Sequence, residues 1–217
     1  MKKDPKCYYA TFTGCDPKKF RFETRIYLED LREELSKPTG QCVAAVVCKN
    51  PGSASEIYPD RSGRWALIRK DNTLTRIRNI FRDAYGDDIP PGAFVKVWNL
   101  FYLCGKEYKD ARRSVIQIGV QNSPSCCSES CPCSVVWFAW GPPDPDLDFL
   151  MKRFRKMGIE RPFFFDKNKR ELVERVPLTG ADFAKHPIRD SEVPAGGKSV
   201  GEAVKEHLKS VFARTGS

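Results

Sequence analysis

No apolar run in the chain approaches the roughly 18 to 20 residues that a bilayer-spanning helix requires, which excludes a helical membrane protein. The opening Met1-Lys2-Lys3-Asp4-Pro5 has the charge of a secretory leader and lacks the apolar stretch that follows in one. Both absences point to a cytoplasmic protein with no membrane partner. Signature loops are missing as well: there is no P-loop, no G-x-G-x-x-G, no G-x-S-x-G and no H-E-x-x-H. These absences argue against kinases, nicotinamide enzymes, serine hydrolases and zinc proteases. Histidine occurs only twice, as His186 and His207, and no internal repeat is visible.

What is present suits one decorated α/β domain. The chain has 217 residues, of which 41% are hydrophobic and 12% aromatic, enough for a sizeable core and incompatible with global disorder. Lys plus Arg number 37 against 28 Asp plus Glu, a net charge of +9. That surplus favours a polyanionic partner, nucleic acid or a nucleotide first, because each phosphate contact releases condensed counterions. The nine cysteines are an odd number in a chain too large to need staples, so they read as reduced thiols. Cys126, Cys127, Cys131 and Cys133 fall within eight residues. Their spacing closes no tetrahedral site without help from elsewhere, so neither a metal nor another cofactor is expected.

Two aromatic-rich runs between Tyr8 and Leu28, separated by Gly14-Cys15-Asp16-Pro17, predict a β-hairpin. Residues 28–36 fit a short helix. Buried strands are expected at Cys42–Cys48, Phe94–Leu100, Val135–Trp140 and Pro162–Phe165, whose continuous apolar character suits a parallel sheet. Helices are expected after Asp71-Asn72-Thr73, over residues 103–117, over 146–157, and at the C terminus through Val200, Val204, Leu208 and Val211. The expected architecture is a three-layer α/β/α sandwich. Its sheet is four-stranded, central and mostly parallel, with an N-terminal β-hairpin and a C-terminal helix. Residues 1–189 would form the domain and 190–217 a linker and amphipathic helix, the whole acting as a monomer.

In such a sheet the ligand crevice lies beyond the carboxyl ends of the strands. That rule selects Asn50, Pro51, Gly52 and Ser53 after the first buried strand, Asn99 after the second, Trp140 and Gly141 after the third, and the segment reaching His186. His186 is the natural acid, base or anion stabiliser among them. Asp71, Thr73 and Arg76 surround a helix N-terminus that would suit an anion. Each has a plainer reading: Asn50 as turn chemistry, Asn99 as local backbone bonding, Asp71 and Thr73 as helix caps.

Taken in order, Lys49-Asn50-Pro51-Gly52-Ser53, Asp71-Asn72-Thr73-Leu74-Thr75-Arg76, Trp98-Asn99-Leu100-Phe101, Ala139-Trp140-Gly141, Pro177-Leu178-Thr179-Gly180 and His186-Pro187 resemble the bacterial family called domain of unknown function 1643. The resemblance spans residues 18–190. The same pattern is similar, more remotely, to the uracil-DNA glycosylase superfamily. That likeness implies catalytic roles for Asn50, positioning water, and His186, stabilising a departing base anion, with Asn99 reading the base edge. The expected function is binding of a nucleobase, nucleotide or nucleic acid, with N-glycosidic cleavage as its enzymatic form. A non-catalytic nucleic-acid-binding module and a small-molecule enzyme on the same fold are the alternatives.

Overall fold

The central strands are buried along nearly their whole length, and their side chains enter two cores, one on each side of a single sheet. The computed structural model describes residues 6–14, 18–31, 38–57, 65–105, 107–130, 133–177, 182–187 and 197–214. Its strands are β1 (Tyr8–Thr13), β2 (Phe20–Tyr27), β3 (Cys42–Cys48), β4 (Trp65–Leu67), β5 (Phe94–Asn99), β6 (Val135–Phe138), β7 (Arg161–Asp166) and β8 (Glu171–Val173). Its helices are α1 (Asn72–Tyr85), α2 (Tyr108–Ile118), α3 (Asp148–Arg155) and α4 (Val200–Ala213).

The sheet corrects the expectation of four mostly parallel strands. Eight strands form one mixed sheet in the order β4-β1-β2-β5-β3-β6-β7-β8. β5, β3, β6 and β7 run parallel to their neighbours in that group, while β1, β2, β4 and β8 pair antiparallel. The physical reason is that an isolated hairpin cannot bury its apolar face and that β5 would otherwise present an unpaired edge. β2 therefore pairs along β5, with Ile26 opposite Val95 and Tyr27 opposite Phe94. β4 and β8 are three residues each, too short to show any period in sequence. The helix expected over residues 28–36 falls on 32–36, which lie outside the described residues, and 28–31 are not helical. The expected linker at 190–196 lies outside them as well.

Ala44, Val46, Val95, Val97, Trp137, Phe163 and Phe165 enter the core that also holds Leu74, Ile77 and Phe81 of α1 and Val200, Val204, Leu208 and Val211 of α4. Ala45, Val47, Trp98, Val136, Phe138 and Phe164 enter the other, with Ala111 and Val115 of α2 and Leu150, Met151 and Phe154 of α3. Each fully buried Val, Leu or Phe contributes about 1.5–3 kcal/mol, which holds the helices to their faces. α4 starts on a capping box in which Ser199 and Glu202 satisfy each other's backbone N–H groups. Asp71 caps α1 by accepting from the Leu74 N–H at 2.7 Å.

This topology sets the position of the crevice. The connection from β3 to β5 runs through α1 on one face, and that from β5 to β6 through α2 on the other. The order therefore reverses at β3, and a crevice opens between the carboxyl ends of β3 and β6. Among the described residues no helix is long and apolar enough to cross a membrane.

Candidate functional site

A cavity of about 410 Å³ occupies that reversal point, lined by Lys49, Asn50, Tyr108, Trp140, Gly141, Pro142, Lys167, Phe183, Lys185 and His186. Five supports converge on it. Lys49 and Asn50 follow β3, Trp140 to Pro142 follow β6, Lys167 follows β7, and Tyr108 opens α2. The last support is the segment 182–187, which threads between the extended ends of β6 and β7. There the Gly141 N–H donates to the Ala184 carbonyl at 2.7 Å, the Lys185 N–H to the Phe165 carbonyl at 2.9 Å, and the Lys167 N–H to the Phe183 carbonyl at 3.0 Å. These bonds, and not sequence proximity, carry Lys185 and His186 to the crevice. Gly141 sits at φ +85°, a left-handed turn that lets the chain leave β6 without a side chain.

The lining charge has one sign. Lys49, Lys167 and Lys185 are there with His186, and no carboxylate is among the described lining residues. Lys49 donates to the Pro142 carbonyl at 2.9 Å and lies 4.9 Å from the centre of the Tyr108 ring. Lys167 lies 5.1 Å from the centre of the Phe183 ring. Lys185 is only 6% exposed, and its ammonium finds no hydrogen-bond or ion-pair partner among the described residues. A buried cation is normally paired, so a lysine in this position suits an anionic ligand.

Behind the cavity, Tyr108 is fixed by donating its hydroxyl to Asp144 at 2.6 Å, and Asp144 is gripped by Arg112 at 2.7 and 3.1 Å. Burial raises the Asp144 carboxyl, but the bonds from Arg112 and Tyr108 outweigh it and hold the group below the ordinary carboxylate range. Burial, with the bond to Asp144, pushes the Tyr108 hydroxyl up, so it remains a proton donor and the ring keeps its orientation.

Of the residues selected from sequence, Asn50, Trp140, Gly141 and His186 line this cavity. The others do not. Asn99 is 1% exposed at the end of β5, in register with Cys48, and neither polar atom of its amide has a partner. Strand alternation puts it on the side of Val95 and Val97, away from Trp98 and the α2–α3 core. Pro51 accepts through its carbonyl from the buried Arg21, which also donates to the Ala54 carbonyl at 2.9 Å. Gly52 turns at φ +70° above Asp71, and Ser53 is exposed. Arg76 lies against α4 at Gly201, where a Cβ would meet its guanidinium at 2.5 Å. Asp71 and Thr73 open α1 outside the lining. The aromatics at the strand ends, Trp98, Phe101 and Trp140, are buried, at 1%, 0% and 2% exposure.

Sequence reasoning missed Lys49, Tyr108, Lys167, Phe183 and Lys185. Lys49 and Lys185 adjoin Asn50 and His186, so the strand-end rule, applied to the neighbouring residue, would have found them. Tyr108, Lys167 and Phe183 carried no local signal.

The cysteine-rich loop is organised by Glu23, which occupies a bulge in β2 at φ 51°. Its carboxylate accepts from the Cys126 thiol at 2.8 Å, the Cys127 thiol at 3.0 Å and the Ser128 N–H at 2.9 Å. Glu129 then accepts from Tyr102 and from Arg153, which also donates to the carbonyls of Asn99 and Leu100 at 2.7 and 2.9 Å. The loop is thus tied to the end of β5. Cys131 lies outside the described residues, and among the described ones no group of three or more His, Cys, Asp or Glu is arranged to hold a metal. Compared with family models, curated proteins and solved structures, the chain finds no match.

Proposed function

We propose that the strand-end crevice binds a nucleotide, with its phosphate against Lys185, Lys49 and Lys167 and its base against Tyr108 and Phe183. The observation that carries this reading is Lys185, a residue only 6% exposed whose ammonium has no partner among the described residues, in a cavity whose described lining holds two further lysines and no carboxylate. Phosphate groups suit such a cluster because each contact is charge-assisted and little screened where water is excluded. Half-buried rings beside the cations offer flat apolar surface to a base. The net charge of +9 favours the same class of partner at long range.

A second reading, hydrolysis of an N-glycosidic bond, rests on Asn50 and His186 lining one cavity. In it the Asn50 amide orients water and His186 stabilises the leaving base. Since Asn99 is not in the lining, base selection would pass to the walls of the cavity.

Calorimetric titration with a nucleoside 5′-monophosphate, the matching nucleoside and a short single-stranded oligonucleotide tests both. The phosphate-bearing ligands should bind and the nucleoside should bind more weakly or not at all. Oligonucleotide affinity should fall with salt at a log–log slope of roughly −0.7 per neutralised phosphate. Base release, followed by chromatography, should vanish in Asn50→Ala while that slope stays. Absence of binding by every phosphate-bearing ligand at low salt removes the proposal.

A further inference from the structure

Far from the crevice, at the amino ends of β3 and β6, two thiols meet. Cys42 Sγ and Cys133 Sγ lie 2.8 Å apart, about 0.8 Å beyond a disulfide bond of roughly 2.05 Å. The approach follows from the sheet. β3 and β6 pair in parallel with Ala45 opposite Val136, an offset of 91 residues, and Cys42 and Cys133 are separated by the same 91. Each lies three residues before that ladder pair, Cys42 at the start of β3 beside an irregularity in its pairing with β5 and Cys133 just ahead of β6, and the two sulfurs meet there. Neighbouring strands lie about 4.8 Å apart, inside the Cα separation of roughly 4.4–6.8 Å that a disulfide needs.

Among the described cysteines, Cys7, Cys48 and Cys126 are buried, Cys104 is half-buried, and Cys127, although exposed, donates to Glu23. Cys42 and Cys133 are half-buried, open to a small oxidant. The hydrogen bond from Cys133 holds the Cys42 thiol below its ordinary range against the opposing effect of burial, with help from the Lys96 charge. The same bond, with burial, pushes Cys133 up. Cys42 is thus the sulfur that ionises first, and the thiolate is the reactive form.

We propose that Cys42 and Cys133 form a reactive dithiol that a peroxide converts to an intramolecular disulfide, a modification site separate from the ligand crevice. The Cys42 thiolate attacks one peroxide oxygen, the O–O bond breaks, and the departing hydroxide takes a proton to become water. Cys42 is left as a sulfenic acid. The Cys133 sulfur then attacks the Cys42 sulfur, the S–O bond breaks, and hydroxide leaves with the Cys133 proton as a second water. Two thiols lose two electrons in all, and the peroxide is reduced to two waters.

The test is peptide mapping of the full chain, unreduced, after stoichiometric hydrogen peroxide. The intact mass should fall by two hydrogens, titratable thiols should drop by two, and the linked peptides should contain Cys42 and Cys133. Because Cys126, Cys127, Cys131 and Cys133 share one tryptic peptide, the variants assign the sulfur. Cys133→Ser and Cys42→Ser should each lose the link, and Cys127→Ser should keep it. Mapping of the parent chain does not depend on the variants folding. A link that joins any other pair, the absence of a link with Cys42 carried on to sulfinic acid, or stoichiometric zinc released on oxidation would each overturn the proposal.

Discussion

Replacing Lys185 by Met removes a buried lysine of the crevice that has no partner among the described residues, and so separates charge from shape. The residue is 6% exposed and lines the cavity. A hydrogen bond to a charged group contributes about 1.5–3 kcal/mol, and 1.4 kcal/mol is tenfold in affinity. Lys185→Met should therefore weaken a nucleoside monophosphate by roughly 10- to 100-fold. Lys49 already donates to the Pro142 carbonyl and is more exposed. An exposed ion pair is worth about 0.2–1 kcal/mol, so Lys49→Met should cost up to about fivefold. Stability should move the other way. An unpaired buried ammonium carries a desolvation cost that methionine does not, so Lys185→Met should unfold at an equal or higher urea concentration. Calorimetry with the monophosphate and the nucleoside, beside urea unfolding, reads all of these. Monophosphate affinity within twofold of the parent chain would refute the reasoning. An equal loss for the nucleoside would assign the effect to the lysine stem.

Further outcomes follow from the surrounding structure. Phe154 is fully buried with its ring 6.3 Å from those of Trp98, Phe138 and Trp140, so Phe154→Ala should cost about 3–5 kcal/mol in urea unfolding and loosen the Trp140 wall of the crevice. His207 packs 4.5 Å from the Phe163 ring and 3.5 Å from Glu174. Burial lowers its pKa below 6.5, with Arg214 adding to the shift and Glu174 opposing it. The unfolded chain then binds the proton more readily, so this contribution to stability is present above pH 6.5 and lost as pH falls through the folded value. Unfolding of His207→Gln should lack that dependence. Glu23→Gln should release Cys127, whose thiol is held up first by its bond to Glu23; faster alkylation of Cys127 at fixed pH, read by mass spectrometry, is the expected result.

The sequence by itself determined the central strands, through short continuous apolar runs, and the long helices, because their apolar residues repeat at three to four over enough positions to show a face. Cys42–Cys48 is apolar throughout, and Val200, Val204, Leu208 and Val211 mark one stripe of α4. The sheet itself was decided by tertiary structure. Three-residue strands such as Trp65–Leu67 and Glu171–Val173 carry no period, and whether a hairpin stands alone or closes the edge of β5 depends on which backbone groups lack partners. The same holds for the candidate site. The strand-end rule reached Asn50, Trp140, Gly141 and His186, which line one cavity. It could not place Asn99, since one residue more or less at a strand end changes the side of the sheet that a side chain enters. Nor could it find Lys167, Phe183 and Tyr108, which come together because residues 182–187 hydrogen-bond between the ends of β6 and β7 and because α2 begins beside them. Those are long-range backbone bonds and packing, and no local pattern of residue types encodes them.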